Sequence, residues 1–370
     1  IISGSLGYLI VVVGMVATGM IGCDLGLASC TCCQAGFGKS GARFIVSTIF
    51  AVNMIGWFGI QNGVCGEAFS NAMLAMTGWD IPVVVSNTIW GIIMLLTAVY
   101  GVHALEKLDK ISIPLLMIIM CYGTFLAFKV YGTGNLNDEG TVQSMSFMSG
   151  VALSFNFTAV GTITGPDYTR FQKSRKDTVK SVFYGVFPMG VITLIMGIVL
   201  TKLSGQYDIS MVLIEVGLPL LGIIALVIST WTTNSTNAYS AGLNIVMALK
   251  LTDNRRREAT LISGIVGIVL CDLGILGHVE GVLSLLSYVV CPVGGVILAD
   301  YWVVGKGKAK NFRPQDGVNW AGVIAWALGA IISYTLVKIE FVGIIIGFVI
   351  YLIAERFIPS ASRDNAENIA

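Results

Sequence analysis

The chain has 370 residues, of which 55% are apolar and only 12% are Asp, Glu, Lys or Arg. Soluble globular domains carry about 25% charged residues, so the composition excludes an ordinary soluble domain and is typical of a polytopic α-helical membrane protein. The formal net charge of +1 gives no reason to expect a nucleic acid as partner. We expect the lipid bilayer as the surroundings of the chain.

Long runs without a charged residue follow one another along the chain. Most have the length of about 20 residues that a helix needs to cross the hydrocarbon core. The nine long runs are 1–23, 44–66, 81–105, 111–128, 141–166, 181–201, 216–249, 281–299 and 317–337. Two shorter runs lie near 259–277, interrupted by Asp272, and at 341–354. We therefore predict eleven membrane spans, connected by short loops.

The basic residues are concentrated in alternate loops. All but three of the 22 Lys and Arg residues lie near 23–43, 102–112, 167–180, 249–258 and 302–316 or after 355. The exceptions are Lys129, Lys202 and Lys338, on the other side. The positive-inside rule predicts that the first set of loops and the tail 359–370 are cytoplasmic. Topology therefore explains the basic patches without a nucleic acid.

The first residue, Ile1, falls on the predicted outer side and opens directly into an apolar run. No basic segment precedes this run, so a cleavable signal peptide is not predicted. Loss of the first helix from a twelve-span protein with a cytoplasmic N-terminus explains both features, and we expect such a loss.

Three spans carry polar side chains at mid-membrane depth: 53–62 (NMIGWFGIQN), 154–168 (SFNFTAVGTITGPDY) and 231–243 (WTTNSTNAYSAGL). Polar groups in hydrocarbon usually face a bundle interior or a water-filled cavity. The glycines and the proline of the second stretch predict a broken helix, the kind of element that forms transporter substrate sites. The alternative is that these hydroxyls and amides only join neighbouring helices.

Four motifs carry a resemblance to a known family: GWFGIQ at 56–61, PDYTRF at 166–171, WTTNSTNAYSAGL at 231–243 and PVGGVILADYW at 292–302. In order and spacing, over nearly the whole chain, they resemble the nucleobase-cation-symport family, above all its bacterial cytosine permeases and related purine and hydantoin or allantoin permeases.

The resemblance implies an all-α transporter of the LeuT type, with a five-plus-five inverted repeat and twelve helices. The chain matches this pattern from the second helix onward, as one transmembrane domain over 1–358 with family helices 2–12. The implied function is import of a nucleobase, with cytosine favoured, by cation symport through the bacterial inner membrane. A purine, hydantoin or allantoin substrate is the alternative.

The resemblance also implies which residues bind the substrate. Trp57 matches a tryptophan that forms one face of an aromatic sandwich around the base, and stacking suits a flat heterocycle. The other face is expected from Phe157, with Phe155 as the alternative. Gln61 matches a binding glutamine of hydantoin-type relatives. Cytosine permeases instead carry a glutamine three residues before the tryptophan, where this chain has Met54.

Further amides are candidates for the base edge, because an amide carries both a donor and an acceptor. Asn237 and Asn234 lie on the polar helix, and Asn53 lies beside Met54. Asn53 could equally join two helices.

The same resemblance implies a sodium site. Thr232 and Thr233 match the hydroxyl pair that binds sodium in this fold, with the Ser229 carbonyl as a third oxygen. Neutral oxygens are suitable ligands for a hard cation, and no other cofactor is expected. A proton is the alternative coupling ion.

Two other classes remain beside the transporter. A channel is not favoured, because the sequence contains no repeated carbonyl filter or obvious charged ring. An inactive truncated fragment is the second alternative. An enzyme is not predicted, because the two histidines, His103 and His278, lie at span ends on opposite sides.

Overall fold

The computed structural model describes residues 1–100, 102–133, 145–206 and 209–358. Regular structure in these ranges consists of helices, and the predicted tail 359–370 lies outside them. The α-helices are α1 (Ile2–Leu25), α2 (Ser29–Cys32), α3 (Gln34–Gly41), α4 (Ser47–Thr77), α5 (Val83–Tyr100), α6 (Val102–Tyr131), α7 (Phe147–Thr158), α8 (Gly161–Thr169), α9 (Arg175–Ser204), α10 (Ile209–Glu215), α11 (Pro219–Ala248), α12 (Arg256–Asp272), α13 (Val279–Leu298), α14 (Trp320–Ile332) and α15 (Val342–Phe357). Short π-helical turns at Ala42–Val46, Ala299–Val304 and Ser333–Val337 extend α4, α13 and α14.

Every predicted apolar run coincides with a helix or a pair of helices, but not every one meets the length and composition of a span. Among the described residues, eight helical segments are long and apolar enough to cross a membrane, not eleven. Of the three other predicted spans, α12 and α15 have only 17 and 16 residues. The third, α11, has 30 residues but carries the polar stretch 231–243.

The helices pack in three groups. The first group joins α1 to α7, α8 and α9, and the second joins α4 to α5, α11 and α12. The third joins α13 to α14 and α15, and α13 also touches α1, α4, α7 and α8. The largest apolar core lies where α3, the start of α4, α13 and α15 meet. Because α13 touches both other groups, a rearrangement of either group acts on it.

Small residues let α1 approach α7 and α8 closely. A Cβ atom on Gly7 would lie 2.5 Å from the Val151 carbonyl oxygen, and one on Gly22 would lie 2.4 Å from the Pro166 Cα. Such contacts with backbone atoms leave no room for a side chain. Helix association in lipid depends on this kind of close backbone packing, which explains why α1 is rich in glycine.

The segment that leads into α4 is held by backbone hydrogen bonds to a distant part of the chain. Lys39 N donates to the Gln315 carbonyl at 2.7 Å, and Asn319 N donates to the Phe37 carbonyl at 2.8 Å. Gly38 lies between these bonds at φ 76°, and a Cβ atom on it would lie 2.5 Å from the Gly317 carbonyl oxygen. Only glycine meets both the dihedral angle and the close approach.

We call the end of the bundle that carries Lys39, Arg175 and the segment 305–317 the basic end. There the Asp24 carboxylate of α1 accepts hydrogen bonds from Arg175, with Nε at 2.9 Å from Oδ1 and Nη2 at 2.5 Å from Oδ2. The Tyr301 hydroxyl also donates to Asp24, at 2.5 Å. The Arg175 guanidinium lies 4.9 Å from the Trp302 ring centroid. One carboxylate therefore joins α1, α9 and the end of α13.

Candidate functional site

A cavity of about 600 Å³ lies between the first two helix groups. Its walls come from α1, α4, α7, α8, α9 and α11, and its lining is mostly apolar with a few polar groups. Cavities of ligand-binding sites are typically about 300–1,000 Å³ and have this mixture of surfaces. The cavity extends from Trp57 to Gln172, which lies near the basic end. It is large enough for a small heterocyclic molecule.

The helix α4 contributes one face to this cavity. Met54, Trp57 and Gln61 are spaced by three and four residues, so they share one side of the helix, and all three line the cavity. The adjoining side of α4 carries Phe58, which is fully buried in the second helix group. The order of residues in α4 therefore fixes which rings and amides face the cavity.

The structure places Phe157, not Phe155, beside Trp57. The Trp57 and Phe157 ring centroids lie 5.4 Å apart with an interplanar angle of 69°. Phe157 is 51% exposed and lines the cavity, whereas Phe155 is fully buried and packs on Phe341 at 5.6 Å.

The geometry of this aromatic pair differs from the sandwich that the resemblance implies. Two rings that enclose a flat base lie about 7 Å apart, twice the contact distance of about 3.5 Å. The edge-to-face pair of Trp57 and Phe157 leaves no such gap. A sandwich therefore requires one of the two rings to turn.

The helix that carries Phe157 is interrupted as the sequence predicts. The regular α-helix stops after Thr158 and resumes at Gly161. Thr162 N donates to the Ala159 carbonyl at 3.0 Å and Ile163 N to the Val160 carbonyl at 3.1 Å, three residues back in each case. The interruption is a tightened turn and not an unwound segment. It places Phe157 at the end of a half-helix, with the interrupted turn beside it.

The polar stretch of α11 divides between two roles. On one side, Trp231 Nε1 donates to Thr97 Oγ1 at 2.9 Å, and Ser235 Oγ donates to the Met94 carbonyl at 3.0 Å, so that both join α11 to α5. On the other side, Thr233 and Asn237 line the cavity. The two explanations that the sequence leaves open, helix joining and cavity lining, therefore apply to different faces of one helix.

Two of the predicted substrate amides lie outside the cavity wall. Asn234 is fully buried and donates to the Phe58 carbonyl at 3.1 Å. It also accepts a hydrogen bond from Asn237 Nδ2 at 3.4 Å, so it supports an amide that does reach the cavity. Asn53 is 3% exposed and does not line the cavity.

The predicted sodium ligands converge on one carbonyl. Thr232 Oγ1 and Thr233 Oγ1 each donate to the Ser229 carbonyl oxygen at 3.1 Å. Both hydroxyls keep lone pairs that a cation can use, because hydroxyl oxygens accept as well as donate. The described residues contain no cluster of His, Cys, Asp and Glu that could hold a metal ion, so a cation here would rely on neutral oxygens.

Part of the cavity wall lies on α8 and around the start of α9, where no single residue was predicted as part of the site. Thr164 and Tyr168, four residues apart on one face of α8, line the cavity. Gln172 also lines it and donates from Nε2 to Ser181 Oγ at 3.3 Å. The spacing of four residues was the available signal, but the stretch 154–168 was interpreted only as a broken helix.

Comparison with known proteins identifies relatives along most of the chain. Residues 2–355 match a family described as permeases for cytosine and purines, uracil, thiamine and allantoin. The cytosine permease of Escherichia coli is 31% identical over 335 residues, which cover 89% of this chain and 76% of that protein. The allantoin permease of Bacillus subtilis is 25% identical over 398 residues, which cover 93% of this chain and 80% of the permease.

Solved structures share the fold. Mhp1, a nucleobase-cation-symport-1 family transporter in a closed conformation with bromovinylhydantoin bound, has a TM-score of 0.78 at 18% identity and matches 96% of this chain and 85% of its own. A sodium-coupled sialic acid symporter in a substrate-bound outward-open state has a TM-score of 0.67 at 14% identity, over 95% of this chain and 82% of that one. These likenesses confirm the all-α LeuT-type architecture that the resemblance implies.

Proposed function

Because the chain belongs to the family of permeases for cytosine, purines, uracil, thiamine and allantoin, we propose that it imports a nucleobase, with cytosine as the favoured substrate, by cation symport. The chain is a multi-pass membrane transporter and not an enzyme. The observation that carries the proposal is the cavity in which Trp57, Phe157 and two amides meet.

The chemistry of the cavity suits a flat, uncharged heterocycle. Trp57 and Phe157 offer aromatic faces for stacking, which contributes about 1–3 kcal/mol per base. Gln61 and Asn237 offer donors and acceptors for the base edge. No acidic or basic side chain lines the cavity among the described residues, so a charged substrate would find no partner there.

Coupling to a cation is proposed through α11. Thr233 belongs to the hydroxyl pair on the Ser229 carbonyl and also lines the cavity, while Asn237 faces the cavity one turn further on. A sodium ion held by Thr232, Thr233 and Ser229 would fix the part of α11 that faces the substrate. Each ligand would then favour the binding of the other, and this coupling is reciprocal.

We place the basic end on the cytoplasmic side of a bacterial inner membrane, with the C-terminus also cytoplasmic, on the positive-inside rule. The cavity extends from Trp57 toward this end. In an alternating-access cycle this arrangement would correspond to a state from which substrate leaves to the cytoplasm. The opposite state would present Trp57 to the outside.

A hydantoin, allantoin or purine substrate is the second candidate, and a specific observation favours it. Met54 lies in the cavity wall at the position where cytosine permeases carry a glutamine, while Gln61 faces the cavity one turn after Trp57. A cavity that recognises its ligand through hydrogen bonds to Gln61 would prefer the ligands of hydantoin-type relatives.

Uptake of radiolabelled cytosine into proteoliposomes tests the proposal, with the full-length protein and an imposed sodium gradient. We expect saturable, sodium-dependent uptake that unlabelled cytosine competes. Uptake of labelled allantoin or of a labelled purine, without uptake of cytosine, would support the second candidate. Non-saturating flux would indicate a channel, and no uptake of any of these compounds would contradict the transport function.

The aromatic face gives a sharper test. Trp57→Ala removes a stacking surface and should weaken substrate affinity about 5- to 150-fold, the equivalent of about 1–3 kcal/mol. Trp57→Phe keeps a ring and should retain most of the affinity. Trp320→Ala, which removes an exposed tryptophan outside the cavity, is the matched control. Equal affinities for wild type and Trp57→Ala would exclude Trp57 from the site.

A further inference from the structure

A second polar cluster lies far from the basic end, where the short segment after α14 enters α15. Its centre is Glu340, whose side chain is buried with only 6% of the residue exposed. Glu340 Oε1 accepts a hydrogen bond from Asn156 Nδ2 of α7 at 3.0 Å and another from the Ser284 hydroxyl of α13. Glu340 Oε2 forms no hydrogen bond with any described residue. The carboxylate therefore joins three helices through one of its oxygens.

The negative charge of Glu340 has no cationic partner within the described ranges. The titratable groups that face it are Tyr288 and Cys291 of α13, neither of which carries a positive charge. The helix α7 contains no titratable residue, and Lys338, two residues before Glu340, is exposed and forms no ion pair with it. Burial of an unpaired charge is costly, and neutral donors only partly offset this cost.

A second observation points to a missing positive group. Asn156 is only 7% exposed, and its Oδ1 has no hydrogen-bond partner. The same amide donates to Glu340, so the orphan oxygen belongs to a side chain that already lies against the carboxylate. An acceptor without a donor and a carboxylate without a cation thus occur in neighbouring groups. One small cation would give a partner to both the Asn156 oxygen and the Glu340 carboxylate.

We propose that Glu340, Asn156 and Ser284 form a binding site for a small cation, sodium or a proton. The carboxylate, amide and hydroxyl groups offer oxygen ligands, as a hard monovalent cation requires. A proton on Glu340 Oε2 would equally neutralise the charge. The site is separate from the Thr232, Thr233 and Ser229 group, because none of its residues lies on α11.

The site lies next to the residue that faces the substrate cavity. Asn156 directly precedes Phe157, and Phe341, which follows Glu340, packs on Phe155 at 5.6 Å. The Glu340 segment therefore holds the end of α7 at two consecutive positions. A cation that changes the bond between Glu340 and Asn156 acts on the neighbouring ring of the Trp57 and Phe157 pair. This consequence rests on the proposed function, but the cation site itself does not.

Direct binding of the cation tests the site without transport. For sodium, binding of radioactive sodium to the purified full-length protein is measured for wild type and Glu340→Gln. The variant keeps the shape and an oxygen acceptor for Asn156 and Ser284 but has no charge. We expect it to bind one sodium ion fewer per chain. For a proton, the infrared spectrum of wild type at neutral pH, where ordinary carboxyl groups are ionised, should contain a carboxylic acid band that Glu340→Gln lacks.

Two further variants keep the test decisive. Glu280→Gln removes an exposed carboxylate near the start of α13 and should leave both measurements unchanged. Ser284→Ala removes one hydroxyl and should weaken sodium affinity about tenfold, since a hydrogen bond to a charged group contributes about that factor. If neither sodium binding nor the carboxylic acid band differs between Glu340→Gln and wild type, the proposal is overturned.

The uptake assay separates the two proposals. Loss of cation binding in Glu340→Gln together with absence of any substrate uptake by wild type would reject the transport function and keep the site. Normal, sodium-driven uptake with cation binding unaffected by the variant would reject the site and keep the function.

Discussion

Asp24 and Glu340 are two buried or half-buried carboxylates at opposite ends of the same bundle, and each joins three helices. Asp24 is bound by the Arg175 guanidinium through both of its oxygens and also accepts from Tyr301. Glu340 is more deeply buried but is bound only by the neutral side chains of Asn156 and Ser284.

The contact at Asp24 is permanent, whereas the contact at Glu340 depends on a bound cation. The chain itself supplies the positive charge for Asp24, so the basic end is held together whatever the solution contains. At Glu340 the compensating charge has to come from solution. Removal of a partner should therefore damage the first cluster, whereas removal of the charge itself should be tolerated in the second.

The largest effect is expected from Arg175→Ala, which leaves Asp24 without its cation. Asp24 has a side-chain exposure of only 16%, but the Arg175 side chain is 42% exposed, so solvent screens part of the loss. We expect a decrease in the free energy of unfolding of about 1–3 kcal/mol, from the lost charged hydrogen bonds. Thermal unfolding of the purified protein in detergent measures it.

Arg175→Lys is the control for this prediction. Lysine keeps the charge but loses the two parallel hydrogen bonds, so it should recover only part of the stability. A melting temperature for Arg175→Ala equal to that of wild type would show that the ion pair does not hold the basic end.

A smaller effect of different character is expected from Glu340→Gln. The substitution removes an unpaired charge and keeps an acceptor, so in buffer without the bound cation the melting temperature should equal or exceed that of wild type. Addition of the cation should raise the melting temperature of wild type but not that of Glu340→Gln, because a ligand that binds only the folded state stabilises that state. If the melting temperature of Glu340→Gln falls as far as that of Arg175→Ala, with or without the cation, the two carboxylates do not differ in the way described.

The smallest effect is expected at an exposed pair. Lys39 Nζ lies 2.8 Å from Asp316 Oδ1, and the side-chain exposures are 52% and 92%. The hydrogen bond and the charge of Lys39 lower the pKa of Asp316 below its ordinary value of 3.8. Lys39→Ala should restore this pKa without a measurable change in melting temperature at pH 7, as is common for surface pairs.

The sign of the accompanying pH dependence is fixed. Because the pKa of Asp316 is lower in the folded state, the pair's contribution is present above the ordinary value of 3.8 and is lost as pH falls through the lowered pKa. Lys308→Ala, which removes another exposed lysine of the basic end, is the control. A large destabilisation by Lys39→Ala at pH 7, absent from Lys308→Ala, would contradict the prediction.

The sequence predicts well what depends on local pattern. Each long helix follows from an apolar run, and the spacing of Met54, Trp57 and Gln61 puts them on one face of α4. The difference between eleven and eight spans has local causes too, because α12 and α15 are short and α11 carries the polar stretch 231–243.

What depends on long-range packing could not be predicted. Asn234 and Asn237 are three residues apart and alike in type, yet only Asn237 lines the cavity. Asn234 instead donates a hydrogen bond to the buried Phe58 carbonyl. Glu340 follows Lys338 in a short connection and looks like a solvated loop residue in the sequence. Its burial arises from contacts with Asn156 and Ser284, which are 184 and 56 positions away.

The junction before α4, which we define by the backbone hydrogen bonds on either side of Gly38, has a consequence for biosynthesis. Its bonds join residues near Lys39 to residues near Gln315, so they form only after the ribosome has added almost 280 further residues. At about 5–20 residues per second, that interval lasts about 14–55 s. Throughout that interval the helix of Trp57 lacks the hydrogen bonds that fix its start. A stalled or truncated nascent chain would therefore contain this helix but not the junction that fixes where it begins.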